Sequence, residues 1–138
     1  MKRKICWLFA LVFVFASVAQ LSVLASDIMP LNNNTGLTKT KFAISSTGDA
    51  IVSVKYEGYP NITTSAIITI RIEKRNFLLF WSDVVEETIT VKDSRYYEEL
   101  HYQLNKTGTY RCTVEYVISG TGGADDVITF EDIQKYQI

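Results

Sequence analysis

Histidine occurs once in this chain, at His101, and cysteine only twice, at Cys6 and Cys112. A lone imidazole excludes zinc sites built from several histidines, and any Ser-His-Asp arrangement would have to pass through that one residue. Cys6 lies in an apolar N-terminal run and is discarded with it, so no internal disulfide forms and the remaining chain depends on core burial. Sustained helical periodicity is missing beyond that run, as are repeats and low-complexity tracts. Three of the 14 Lys and Arg stand at Lys2, Arg3 and Lys4, whereas all 15 Asp and Glu lie beyond residue 25. The rest of the chain therefore carries about four net negative charges and no basic run, which argues against nucleic acid as a partner.

What is present at the N-terminus reads as an export signal. The basic residues Lys2 to Lys4 precede a stretch, Ile5 to Ser26, without one charged side chain. Val23 and Ala25 occupy the minus-three and minus-one positions of a small-residue cleavage site, giving a mature chain that starts at Ser26. A second such site ends at Ala19. An uncleaved run of this length would instead tether the protein to a membrane, but Ser17, Gln20 and Ser22 dilute its second half. The expected organisation is a signal peptide over 1–25, a flexible leader over 26–37 and one domain over 38–138. The leader assignment rests on Pro30, Asn32 to Asn34 and Gly36, which offer little to bury.

From Lys39 onward apolar residues recur mostly at period two, and turn residues punctuate the chain about every ten positions. The pattern predicts seven or eight strands: Lys39 to Ser45, Ala50 to Glu57, Thr64 to Lys74, Phe77 to Trp81, a stretch around Val85 to Val91, Tyr96 to Leu104, Thr109 to Ser119 and Val127 to Gln134. Ile68, Ile70 and Ile72 share one face of the third. Phe77 to Trp81 is apolar on both faces and reads as a central, doubly covered strand. Without helices to cover a sheet, such strands pack as two antiparallel sheets face to face, an all-β sandwich.

Gly108, Thr109, Tyr110, Arg111 and Cys112 resemble the strand-F signature of immunoglobulin-type sandwiches, in which a tyrosine two residues before a cysteine turns its hydroxyl onto the preceding corner. In that resemblance Trp81 stands for the core tryptophan and the first cysteine falls near Ile68, replaced by an aliphatic contact. The stretches Thr38 to Ser45, Arg71 to Trp81 and Gly108 to Asp126 also resemble small secreted proteins of Gram-positive bacteria grouped in a family of unknown function. That likeness implies export and a β-domain, and no activity.

Several polar groups invite a chemical reading. The loop Gly120 to Asp126, with Glu131 and Asp132 beyond it, offers carboxylates and freed carbonyls of the kind calcium takes, but its spacing fits no known calcium loop. Glu86-Glu87 and Glu98-Glu99 are adjacent carboxylates, and neighbours on a strand point to opposite faces, so neither pair serves one substrate. Alternation puts His101 on the polar side of its strand and Cys112 beside Val114, where a thiol acts as a small hydrophobe. The eight tyrosines suit a recognition surface or a sandwich core and its rim. Asn33, Asn61 and Asn105 head glycosylation sequons, relevant only in a eukaryote.

The expectation is a secreted, non-catalytic binding or structural module with no cofactor, no metal, an unknown protein or cell-surface partner and no stable membrane association after cleavage. A small secreted hydrolase and a toxin or antagonist are the alternative classes.

Overall fold

The computed structural model describes residues 32–137; the signal peptide expected over 1–25, with its cleavage between Ala25 and Ser26, lies outside them. Seven strands run through the described residues: β1 Thr35–Ile44, β2 Asp49–Gly58, β3 Thr63–Arg75, β4 Trp81–Val91, β5 Arg95–Gln103, β6 Gly108–Gly120 and β7 Asp126–Tyr136. They form two antiparallel sheets, ordered β1-β2-β5 and β4-β3-β6-β7. Hairpins join β1 to β2, β3 to β4 and β6 to β7, while the other three connections cross between sheets. The all-β sandwich is therefore present, and every described strand belongs to one compact unit that begins at Asn32.

Period-two patterning explains the layer between the sheets. Val52, Val54 and Tyr56 of β2 are fully buried, as are Ile68, Ile70 and Ile72 of β3 and Cys112 and Val114 of β6. The β3–β6 register sets Ile72 beside Cys112 and Ile70 beside Val114, so both central strands aim the same rows inward. Burying a Val, Leu or Ile side chain contributes about 1.5 to 3 kcal/mol. No cross-link supplements that layer among the described residues, where Cys112 is a free, buried thiol.

Tyrosines finish the core by placing rings inside and hydroxyls at the rim. Tyr116 reaches across to Thr40 of β1, its hydroxyl 2.6 Å from Oγ1. Tyr56 donates to the Asp93 carbonyl at 2.6 Å, tying β2 to the β4–β5 crossover. The Tyr110 hydroxyl donates to the Lys106 carbonyl at 2.5 Å, bracing the turn that leads into β6. In each case a large apolar surface is buried while the polar atom keeps a partner.

Three expectations are corrected by this architecture. Phe77 to Trp81 is not a central strand: Asn76 to Phe80 forms the turn between β3 and β4, and Trp81 is only the first residue of β4. Trp81 does not occupy the core but pairs with Arg75 on the outer side of its sheet, half-buried under Arg111. Ile68 stands in the same sheet as Cys112, so it cannot replace a partner facing that residue across the sandwich; the opposite layer is supplied by β2. The third follows from the pairing of β3 with β6, and the first two share another physical reason. Pairing of Ile72 with Val85 on β4, after a bulge, makes β3 and β4 one long hairpin and leaves the intervening apolar residues outside the layers.

The leader also ends earlier than its composition implies. Strand β1 starts at Thr35, and Asn34 is fully buried. Asp126 at the head of β7 accepts the backbone N–H of Asn33 on one carboxylate oxygen and that of Asn34 on the other, both at 2.8 Å. The Asn34 side chain in turn donates to the carbonyls of Ala124 at 2.9 Å and Ile118 at 3.3 Å and accepts from the Gly122 N–H at 3.1 Å. Each polar atom taken from water is thereby repartnered, which is what makes its burial tolerable.

Gly48 shows how tightly the other end is built. It adopts a φ of 83°, and a Cβ there would sit 2.6 Å from the Leu104 carbonyl oxygen and 2.9 Å from the Tyr136 ring. Gly48→Ala is therefore expected to destabilise the domain by at least about 2 kcal/mol, lowering the thermal midpoint by roughly 8 °C or more in a calorimetric scan. Asp126→Ala, which strands two backbone donors, is expected to cost about 3 kcal/mol in urea unfolding, with Asp126→Asn intermediate because one acceptor oxygen survives.

Candidate functional site

At the pole of the sandwich that carries the β1–β2, β3–β4 and β5–β6 turns, the β3–β4 hairpin ends in Phe77, Leu78, Leu79 and Phe80. Their side chains are 89, 59, 65 and 67% exposed, a contiguous apolar knob, whereas the other exposed large hydrophobes, such as Leu37, Tyr97 and Ile133, are spread along the strands and loops. Scattered exposed leucines are ordinary; four successive large apolar side chains in water are not.

Local chemistry fixes the knob's shape. Asn76 Oδ1 accepts the N–H of Leu78 and of Phe80, both at 3.1 Å. The Asn76 N–H donates to the Phe80 carbonyl at 2.9 Å, and the Leu79 N–H donates to the Asn76 carbonyl at 3.1 Å. Asparagine is suited to this because its short amide satisfies backbone donors two residues on. Leu79 is held at a φ of 67°, in the left-handed region that costs a branched residue about 1 to 2 kcal/mol and that glycine would occupy freely. The turn thus carries a bulky apolar side chain where backbone geometry favours none.

Cations surround the base of the knob. A hollow of about 290 Å³ is lined by Lys74, Arg75, Asn76, Phe77, Ser82 and Lys106. Lys74 lies across Gly108, with its Nζ 5.9 Å from the Tyr110 ring centre. Nearby acids are already engaged: Glu73 binds Arg111 at 2.7 Å, and Asp83 lies 3.8 Å from Arg71. Lys74, Arg75 and Lys106 form no ion pair among the described residues, so this pole is locally basic although the chain is mildly acidic. Arg111 sits 4.5 Å from the centre of the Trp81 ring and stiffens the hairpin where it leaves the sheet.

The residues singled out from sequence fall elsewhere. His101 lies on the outer face of the three-stranded sheet, Nδ1 2.8 Å from Asp49 and Nε2 3.4 Å from Glu99. The hydrogen bond to Asp49 raises its pKa above the ordinary histidine value, helped by the Glu99 charge and opposed by partial desolvation. Ser53 on the neighbouring strand donates to Glu99 at 3.2 Å. Both imidazole nitrogens thus face carboxylates, and the serine faces a carboxylate too, an arrangement unlike a nucleophile with its base. The depression beside them, about 350 Å³, is lined by Lys39, Lys41, Ser53, Lys55, Tyr97 and Glu99.

Alternation separates the adjacent carboxylates as expected. Glu86 meets Arg71 at 3.0 Å on the outer face, while Glu87 turns inward and accepts from Tyr102 at 2.7 Å. Glu98 accepts from Tyr96, and Glu99 points out to His101. The inward pair, Glu87 and Glu98, comes from the facing edge strands β4 and β5. Desolvation first, then the Glu98 contact and the two glutamate charges, pushes Tyr96 up to about 12, so it remains a donor. Inward charges on edge strands also discourage pairing with another chain.

Asp126 of the loop considered for calcium is committed to Asn33 and Asn34, and Asp132 accepts from the Ile133 N–H and Gln134 side chain, each at 2.8 Å. Among the described residues no group of three or more His, Cys, Asp or Glu is placed to hold a metal ion. Burial, reinforced by the Asp132 charge, pushes the Cys112 thiol up to about 12, away from nucleophilic use. Tyr56, Tyr110, Tyr116 and Tyr136 are core residues, and only Tyr59 and Tyr97 of the eight are broadly exposed. The apolar knob itself was missed because its residues read as strand. Asn76 beside five apolar residues was the available signal.

Comparison of the chain with protein families, with curated proteins and with solved structures gives no match.

A raised His101 pKa implies stability that is complete below about pH 6.5 and is lost as pH rises through the folded value. Thermal midpoints are expected to favour the parent over His101→Gln below about pH 6 and to converge above about pH 8; parallel curves would remove His101 from the account.

Proposed function

We propose that this chain is an exported, non-catalytic binding module that uses the β3–β4 knob as its contact surface. The observation that carries the reading is the set of four successive apolar side chains, Phe77 to Phe80, held in water by a turn that is strained at Leu79. Surface apolar area of this kind adds nothing to the core and favours association, so its fixed presentation fits recognition. Export is supported by the basic n-region, the uncharged run from Ile5 to Ser26 and the small residues Val23 and Ala25. The immunoglobulin-like resemblance is supported by the division of strands between sheets and by the Tyr110 to Lys106 hydrogen bond, which has the form of a tyrosine corner. A bacterial source, and the likeness to small Gram-positive secreted proteins, rest on the quoted sequence stretches alone.

A hydrolase reading would have to employ Glu87 and Glu98, yet each already accepts a tyrosine hydroxyl. The binding reading asks for no such rearrangement.

Expression of the full chain in a Gram-positive host tests both halves of the proposal. N-terminal sequencing is expected to find the extracellular protein starting at Ser26, partly retained on the cell envelope. Phe77→Ser with Phe80→Ser is expected to shift most of that retained protein into the medium, with thermal stability changed by no more than about 0.5 kcal/mol because both side chains are already solvated. Protein that stays in the cell refutes export, and identical envelope retention for both chains refutes the knob.

A further inference from the structure

We propose that the partner of the β3–β4 knob is an anionic lipid bilayer, with Phe77 to Phe80 entering the acyl boundary and Lys74, Arg75 and Lys106 lying at headgroup level. The inference rests on the binding-module reading and names its partner. Two independent features converge on it. The knob is convex and wholly apolar at its tip, whereas its base is a hollow lined by three cations without ion-pair partners among the described residues. A bilayer interface has the same order of layers, hydrocarbon within and phosphate above it.

Chemistry at the boundary fits as well. Trp81 follows the apolar residues and remains half-buried beneath Arg111, at the depth where an amphipathic ring is favoured. The hollow of about 290 Å³ beside Phe77 is lined by Lys74, Arg75 and Lys106, with Asn76 and Ser82 as further polar neighbours, a cationic setting for headgroup phosphates. Four residues at a hairpin tip are far short of a membrane span, so the contact is shallow, reversible and salt-sensitive, unlike a stable anchor. A second copy of the domain is a poorer occupant. A two-fold contact through the knobs would bring the Lys74, Arg75 and Lys106 sets face to face, a like-charge arrangement that opposes association.

The protein supplies its own reporter. The seven described strands and the core they bury lie within residues 32–137, so a chain starting at Ser26 contains them all, and Trp81 is then its single tryptophan. Vesicles of phosphatidylcholine with phosphatidylglycerol are expected to shift Trp81 emission to the blue and to carry the protein upward in flotation. Phosphatidylcholine alone, inorganic phosphate alone, or raised salt should leave the emission near its free value. Leu78→Ser with Phe80→Ser is expected to weaken partitioning at least roughly tenfold. Lys74→Gln, Arg75→Gln and Lys106→Gln should each weaken it by about fivefold, an effect erased by salt.

Circular dichroism of every variant is expected to match the parent, which separates lost contact from lost fold. Equal binding to neutral and anionic vesicles, a full emission shift with phosphate alone, or a knob-dependent dimer in the absence of lipid would each overturn the assignment. No vesicle binding by a protein that still shows knob-dependent retention on cells would overturn the lipid partner and leave the binding module standing. Loss of both would remove the two readings together.

Discussion

The inner rows of β2, β3 and β6 form a dry layer, and the attraction of those rows for one another is what keeps two independently hydrogen-bonded sheets together. Val52 and Val54 on one side and Ile68, Ile70, Ile72 and Val114 on the other have no solvent contact. With Cys112 unpaired, packing has to do what a buried disulfide does in many extracellular sandwiches. Every other feature is arranged so as not to disturb that layer. Polar atoms that enter it come as tyrosine hydroxyls whose partners wait at the rim, on Thr40, Asp93 and Lys106.

Protection weakens toward the edges, and the chemistry changes accordingly. On β4 and β5 the inward apolar positions Val85, Ile89, Tyr96 and Leu100 are only half-buried, and they alternate with the half-buried Glu87 and the exposed Glu98. A carboxylate tolerates this position because water is close and a tyrosine donates to it. The same carboxylates make the edges unattractive to a stray strand. A sandwich without cross-links is thus kept separate from its neighbours by charge at its margins and held together by hydrocarbon at its centre.

Much of the layer was legible because it obeys a two-residue period, which the alternation of Ile68, Ile70 and Ile72 displays directly. What could not be read was whether an apolar residue would be inside. Phe77 to Trp81 has the composition of a buried strand, and hydrophobicity alone carries no sign for direction. Its exclusion follows from the pairing of Ile72 with Val85 and from the amide of Asn76, which close the hairpin around it. The candidate site was hidden by the same ambiguity, since a surface knob and a core strand draw on one alphabet. Asn34 illustrates the opposite error: a polar run looks like a leader until a distant carboxylate supplies its partners. His101 and the glutamate pairs were legible because strand alternation decides their faces without reference to the rest of the molecule.

The clamp between Asn34 and Asp126 spans 92 residues of chain. Its two halves are at the entrance to the first strand and the head of the last, so the clamp cannot close until the seventh strand has been made. Local hairpins form earlier, but the pairings between distant strands must await the later segment, so closure of the sandwich comes late in synthesis. If the proposed export holds, such a delay would keep the chain threadable through a narrow channel until its last strand arrives.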